Sequence, residues 1–380
     1  MVCAQVQDSI ECAQRIMNGT AEFGVFTAEN AFHIGVLGWE GLTVIKEVRH
    51  SERIRENFDY QSVVVVRKSH TGGVDNLNGL DYCHPGLHYN RQQRWSERFL
   101  KHFERNVVKY NCTIDGNSPA EIEASSLART FNAACRPGMW SNNIQEDAEL
   151  KIKFPRLCSL CDNPGNCTYE ASIATSNHRQ ALDCMKKSSN ALTYVALQEA
   201  QEFFIDNPNL ASQFSYLCRN GSYESITDSV TPCVWLSQPW KLLVSSSEKA
   251  VSIAQRMLGW MDRASQMDGW ESALREILTQ DSHTIRPAAA MVTVRDYVSR
   301  TRSIPSDAEM CNTTVKWCTK SDAEKLKCDV LRTAAMTTGI YPIIECREPR
   351  SDSVSCISDV SSGKADLVGI DSNYGYLARQ

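Results

Sequence analysis

The chain has 380 residues, 42% of them hydrophobic and 22% charged, enough to bury a full core and to divide into about two or three domains. Its formal charge of -5 and pI near 6.0, with no long block of like charge, exclude the basic footprint of a nucleic-acid binder. The longest apolar runs, such as Val63 to Val66, fall far short of the ~20 residues that cross a bilayer, so no transmembrane segment is expected in this chain.

Residues 9 to 32 read as helix, glycine-containing turn and strand. Ile10, Ala13, Ile16 and Met17 keep helical spacing, and Phe23 to Phe26 is a short apolar run. Gln61 to Arg67 carries four consecutive β-branched valines, which predicts a strand buried on both faces of a mixed sheet with covering helices. His88 to Val108 predicts a helix with Trp95, Phe99, Phe103 and Val107 along one side, and Ser247 to Met261 another with Val251, Ala254, Leu258 and Met261. Pro305, Ser306 and Asp307 form the expected linker, so a boundary is placed near 305. Beyond it, Thr314 to Thr319 reads as a strand, Ser321-x-x-Glu324 as a capping box for a helix through Leu331, and Tyr341 to Glu345 as another strand. Strand, helix, strand, helix, strand within about 60 residues is an α/β pattern, although 310–380 is too small to bury both faces of a sheet alone.

This last segment repeats the first. Ile10-Glu11-Cys12, followed by Asn18 to Thr27, aligns without gaps on Val354-Ser355-Cys356, followed by Ser362 to Asp371. A period of roughly 340 residues is a duplicated globular lobe, because solenoid arrays repeat every ~20 to 50 residues. The chain thus holds one period and the opening of a second. At the last aligned position the copies part chemically, Thr27 against Asp371.

Sixteen cysteines, spaced apart as bridges would be, point to an oxidising, secretory compartment. Sequons at Asn18, Asn111, Asn166, Asn220 and Asn312 point the same way. The chain opens Met1-Val2-Cys3-Ala4-Gln5 without basic flank, apolar stretch or cleavage site. The expectation is an extracellular protein whose signal peptide is missing from this chain and whose amino terminus is incomplete.

Val315-Lys316-Trp317-Cys318 through Lys327-Cys328 resembles the opening of a transferrin lobe, and Gly363 to Asp371 resembles that family's segment ending in an aspartate ligand of ferric iron. Cys83-His84-Pro85-Gly86 resembles its Cys-His-Thr-Gly anion loop, Ala181-Leu182-Asp183-Cys184 its Ala-Phe-x-Cys segment, and Cys218 to Pro239 the stretch before its histidine ligand. The wording around Ala21 to Asn30 resembles the insect branch. The resemblance implies an α/β fold of the type II periplasmic-binding-protein kind: two α/β subdomains around a cleft, with mixed sheets. It implies a first lobe over 1–305, with 1–60 and 244–305 in one subdomain and 61–243 in the other, and the start of a second lobe over 306–380. It also implies Fe(III) with synergistic carbonate, held by two phenolates, a carboxylate and an imidazole, since this hard cation favours anionic oxygen.

Carried over by position, Tyr60 matches the first tyrosine and Asp371 the aspartate of the second lobe. Thr27 replaces the first-lobe aspartate, and Glu29, two residues on, is expected to be a solvated loop carboxylate. The second tyrosine falls on His178, a metal-capable but neutral nitrogen expected to be surface or structural. The histidine falls on Lys241. In the anion loop Pro85 lacks both hydroxyl and N–H, and a two-residue insertion would bring Arg91, rather than Tyr89, to carbonate. By resemblance Cys83 pairs with Cys184, Cys135 with Cys161, Cys158 with Cys167, Cys218 with Cys233, Cys318 with Cys356 and Cys328 with Cys346, with Cys112 to Cys311 closing the lobe. A folded-back tail would instead pair Cys318 with Cys12 and Cys328 with Cys3. Cys158, Cys161, Cys167 and His178 are nominal zinc ligands that bridging would remove. The expected function is extracellular iron(III) binding and transport with a degenerate first lobe. The alternative is a metal-independent binding or cell-adhesion module acting through a cell-surface receptor or partner. No nucleophile motif supports an enzyme.

Overall fold

The structure, a computed structural model, describes residues 4–50, 53–87, 97–111, 118–170, 176–229, 231–261, 283–287, 291–301, 314–338 and 342–379. The chain divides into two compact units. A discontinuous unit contains Met1–Asp59, Pro239–Arg302 and Asn312–Gln380, and a central unit is built on Tyr60–Gln238.

The discontinuous unit opens with α1 (Ser9–Met17), β1 (Phe23–Phe26), α2 (Ala28–Val36) and β2 (Leu42–His50). The central unit follows with β3 (Tyr60–Arg67), β4 (Asp81–Cys83), α3 (Glu97–Leu100), α4 (His102–Val107), α5 (Pro119–Thr130), β5 (Ala134–Cys135) and α6 (Ile144–Lys153). It continues through α7 (Asn177–Met185), β6 (Ala191–Ala196), α8 (Leu197–Asp206), α9 (Pro208–Ala211), β7 (Phe214–Leu217), β8 (Tyr223–Ser225) and β9 (Leu236–Gln238). The chain returns with β10 (Lys241–Ser246), α10 (Ala250–Met261), β11 (His283–Pro287) and α11 (Val294–Thr301). It ends with β12 (Thr314–Cys318), α12 (Asp322–Thr338), β13 (Ile343–Cys346), α13 (Ser353–Ser361) and β14 (Leu367–Val368). Among the described residues no helix is long and apolar enough to cross a membrane.

The central sheet has the order β5-β4-β6-β3-β7-β8, with β9 also paired to β3. It is mixed, because β4 runs parallel to β5 and β6 while β3 is antiparallel to β6, β7 and β9. Val63 to Val66 are buried, as their unbroken β-branched run predicts, each stabilising the fold by about 1.5–3 kcal/mol. Phe99 and Phe103 enter this core from α3 and α4. The predicted helix is interrupted at Lys101, and 88–96 lie outside the described residues.

In the discontinuous unit the sheet β1-β10-β2-β11 is antiparallel throughout. The second crossing between units falls at Gln238/Pro239, where the sequence reading put it at 243/244. Lys241–Ser246 pairs with β2 as one strand, with a register shift between Leu243 and Val244. The parallel sheet β13-β12-β14 is grouped with the same unit, and α12 packs on α2 with His33 Nε2 3.0 Å from the Val330 carbonyl. Ser321 Oγ caps α12 at the Glu324 amide, as expected, but Glu324 returns its carboxylate to Lys320 N–H, one residue before the cap. The helix runs on to Thr338, past the predicted end at Leu331.

The two repeat copies share their hydrogen bonds as well as their wording. Asp8 caps α1 by accepting from Glu11 N–H at 2.8 Å, and Asp352 caps α13 by accepting from Ser355 N–H at 2.7 Å. Each helix then ends on a glycine with positive φ, Gly19 at 74° and Gly363 at 69°, which lets the next two amides turn back onto the last helical carbonyls. Among the described residues six disulfides form, Cys83–Cys184, Cys135–Cys161, Cys158–Cys167, Cys218–Cys233, Cys318–Cys356 and Cys328–Cys346, all as the resemblance implies. The last two are local to the tail and rule out its folded-back pairing. Cys12 is the free cysteine among the described residues, and Cys112 and Cys311 lie outside them.

Candidate metal centre

Two of the residues expected at a metal site, Tyr60 and His178, come together in the central unit with ring centroids 6.3 Å apart. Tyr60 opens β3 opposite Gln238 and is fully buried, its ring edge-on to Phe99 at 6.0 Å. Burial raises its phenol well above the usual tyrosine range.

His178 stands at the start of α7, whose N-terminus is capped by Ser176 Oγ accepting from Arg179 N–H. It is 7% exposed, which makes it a buried structural histidine rather than a surface one. Its Nδ1 accepts the Ala196 N–H at 3.1 Å. In the neutral ring that bond leaves the proton on Nε2, and a protonated nitrogen has no lone pair for a metal. Burial, with a smaller contribution from nearby His84, lowers its pKa to about 3.

The loop after β4 carries the expected anion-binding segment, but its donors are used internally. His84 is fully buried, donating from Nε2 to Leu100 O at 3.0 Å and accepting the Gly86 N–H on Nδ1 at 2.8 Å. Pro85 has no N–H, and the Leu87 N–H goes to Pro137 O. Further bonds from Tyr169 OH to His84 O and from Thr193 Oγ1 to Cys83 O fix the loop. Arg91, the expected carbonate contact, lies outside the described residues.

The other expected positions lie in the discontinuous unit. Thr27 and Asp371 both act as N-caps with closely matched torsions, φ -65° and ψ 162° against φ -69° and ψ 150°. Thr27 Oγ1 accepts from Asn30 N–H and Asp371 Oδ1 from Asn373 N–H. Glu29 is not a loop residue: β1 stops at Phe26, and Glu29 sits half-buried in the first turn of α2, where a carboxylate suits the helix dipole. Lys241 opens β10 opposite Val48. Cys158, Cys161 and Cys167 are all bridged, so they leave His178 no zinc partners. The one His/Cys/Asp/Glu cluster among the described residues is Cys218, Glu224 and Cys233, whose sulfurs bond each other and whose carboxylate accepts from Cys233 N–H.

Sequence reasoning missed a buried charge network beside this region. Arg136 is fully buried and binds Glu104 through both carboxylate oxygens, Nε at 2.9 Å and Nη2 at 2.8 Å, while Nη2 also contacts Glu123. Lys101 bonds Glu123 at 3.0 Å. Burial alone would raise the Glu123 pKa, but Lys101, Arg136 and Arg105 outweigh it and hold the carboxyl at about 2. In sequence these residues are scattered across loops and helices, and the one available signal was the charged run flanking Phe103.

A pH dependence follows. Burial lowers His84 to about 4 and His178 to about 3, against about 6.5 for a free imidazole. Because the folded values are depressed, the stabilisation is complete above pH 6.5 and is lost as pH falls towards 4 and 3, unfolding being accompanied by proton uptake. At pH 5 each histidine costs roughly 2 kcal/mol relative to pH 7. Urea titrations at both pH values are expected to show this loss, and His178→Gln should remove about half of it. An unchanged pH slope in the variant would contradict the assignment.

Comparison with known proteins gives the same outline. A transferrin from Blaberus discoidalis is 25% identical over 397 residues, covering 100% of this chain and 53% of its own length. Ovotransferrin from Gallus gallus is 23% identical over 401 residues, covering 100% of this chain and 52% of its own. The solved structure of transferrin 1 from Manduca sexta matches with a TM-score of 0.71 at 22% identity, covering 99% of this chain and 59% of that one. The chain thus spans about half the length of the curated relatives it matches. The family model Transferrin matches residues 1–273 and 315–380, and the chain therefore belongs to the transferrin family.

Proposed function

We propose that this chain is part of an extracellular iron(III)-binding transport protein in which residues 1–305 form a lobe that keeps the scaffold without holding Fe(III) tightly. Residues 306–380 begin a second lobe, with Asp371 as its first ligand. The observation that carries this reading is the Nδ1 of His178, whose lone pair already accepts the Ala196 amide proton. The amides of the His84 loop, already spent on internal acceptors, support it. Thr27 and His178 at the aspartate and second tyrosine positions remove two anionic oxygens on which ferric affinity depends, and Lys241 puts an ammonium where the imidazole would stand. The six disulfides among the described residues support a secreted setting, and a binding role rather than catalysis follows from the family.

Ferric nitrilotriacetate added to the 380-residue chain in bicarbonate buffer is expected to give no tyrosinate-to-iron charge-transfer absorption. A saturable band that disappears in Tyr60→Phe would overturn the reading.

A further inference from the structure

Four sequons have their asparagine among the described residues, and their settings differ. Asn18 is exposed at the C-terminus of α1, ahead of Gly19 in the left-handed region and exposed Thr20. Asn166 is exposed in the loop that Cys158–Cys167 closes. Asn220 is exposed at the tip of the β7–β8 hairpin, beside Gly221 with φ 85° and exposed Ser222. Asn111, just after the buried Val108, is only half-exposed. A substituent of two or more sugar rings fits an asparagine whose amide faces water and strains one that packs against the protein.

We propose that Asn18, Asn166 and Asn220 carry N-linked glycans and that Asn111 does not, an inference that rests on the secreted reading above. In the transfer step each asparagine Nδ2 forms a bond to C1 of the first N-acetylglucosamine of a lipid-diphosphate-linked oligosaccharide. The bond from C1 to the diphosphate oxygen breaks, the lipid diphosphate leaves with the electron pair, and one amide proton is released. Asn220 has an additional feature. Tyr223, three residues on, is 38% exposed while its hydroxyl accepts from Gly73 N–H at 2.8 Å and His70 stands edge-on to its ring at 6.0 Å. That anchored ring offers an apolar surface on which the first sugar can lie, covering the hairpin and the 70–73 turn.

The test uses the full chain behind a secretory leader in cultured insect cells, lacking core α1,3-fucose. Protein recovered from the medium is treated with peptide N-glycosidase in heavy-oxygen water and mapped. Heavy-labelled aspartate is expected at positions 18, 166 and 220, with unlabelled asparagine at 111. Asn18→Gln, Asn166→Gln and Asn220→Gln should each remove one glycan step from the gel mobility, which keeps the assignment testable where a single map is incomplete. Secreted, disulfide-bonded protein lacking label at any of the three, or labelled at 111, sinks the glycan assignment alone. Retention in cells with reduced cysteines sinks both it and the secreted reading.

Discussion

Gly138→Ala is expected to destabilise the central unit by about 4 kcal/mol or more, at the extreme of single-substitution effects. Gly138 has φ 97°, and a Cβ there would stand 1.9 Å from Leu87 O, 2.4 Å from Leu87 C and 2.7 Å from Leu87 N. All three are backbone atoms, so no side-chain rotation makes room. The two segments are also tied at this point, since Leu87 N–H donates to Pro137 O at 2.8 Å and Met139 N–H to Leu87 O at 3.0 Å. Moving them apart would break these bonds and shift the His84 loop. Gly19→Ala is the control: its φ is 74° with nothing within 4 Å of the new Cβ, so only the left-handed cost of about 1–2 kcal/mol applies. Urea midpoints of the two variants compare the costs directly, and equal midpoints would refute the steric argument.

Glu104→Ala is expected to cost about 3–5 kcal/mol, because it strips both carboxylate bonds from a guanidinium that has no water to turn to. Arg136 is held protonated well above its ordinary range: burial opposes the charge, but Glu104 and Glu123 outweigh burial. Glu123 cannot take over alone, since it also serves Lys101. The double substitution Glu104→Leu with Arg136→Met should recover most of the loss, as apolar replacements of buried pairs often do. A double-mutant cycle by denaturant unfolding separates the pair's coupling from simple loss of packing. Additive single effects would mean that the pair is not coupled and the network has been misread.

The parts of this fold legible in sequence were those governed by local periodicity. The valines of β3 and the four-residue spacing of Phe99 and Phe103 state their burial within a few residues, and the doubled wording states the order helix, turn, strand. Cysteine pairings were legible only through the family resemblance, since spacing alone does not choose among partners. The candidate site was harder, because its chemistry depends on atoms that distant segments supply. The sequence places a histidine at 178, but whether its Nδ1 is free depends on an amide at Ala196 that folding brings to it. The same holds for Pro85-Gly86, where the missing proline N–H was predictable and the loss of the Gly86 N–H to His84 was not. Lys101, Glu104, Glu123 and Arg136 look like ordinary surface charges until three chain segments fold over them.

The caps at Thr27 and Asp371 bear on how this chain can change over generations. Hydroxyl and carboxylate are near-interchangeable at the first position of a helical turn, and the two backbones there hardly differ. Folding therefore exerts almost no selection between them, and the negative charge at this place is free to drift away or return in one substitution without a stability penalty. Purifying selection for the aspartate can come only from what the charge does outside the fold.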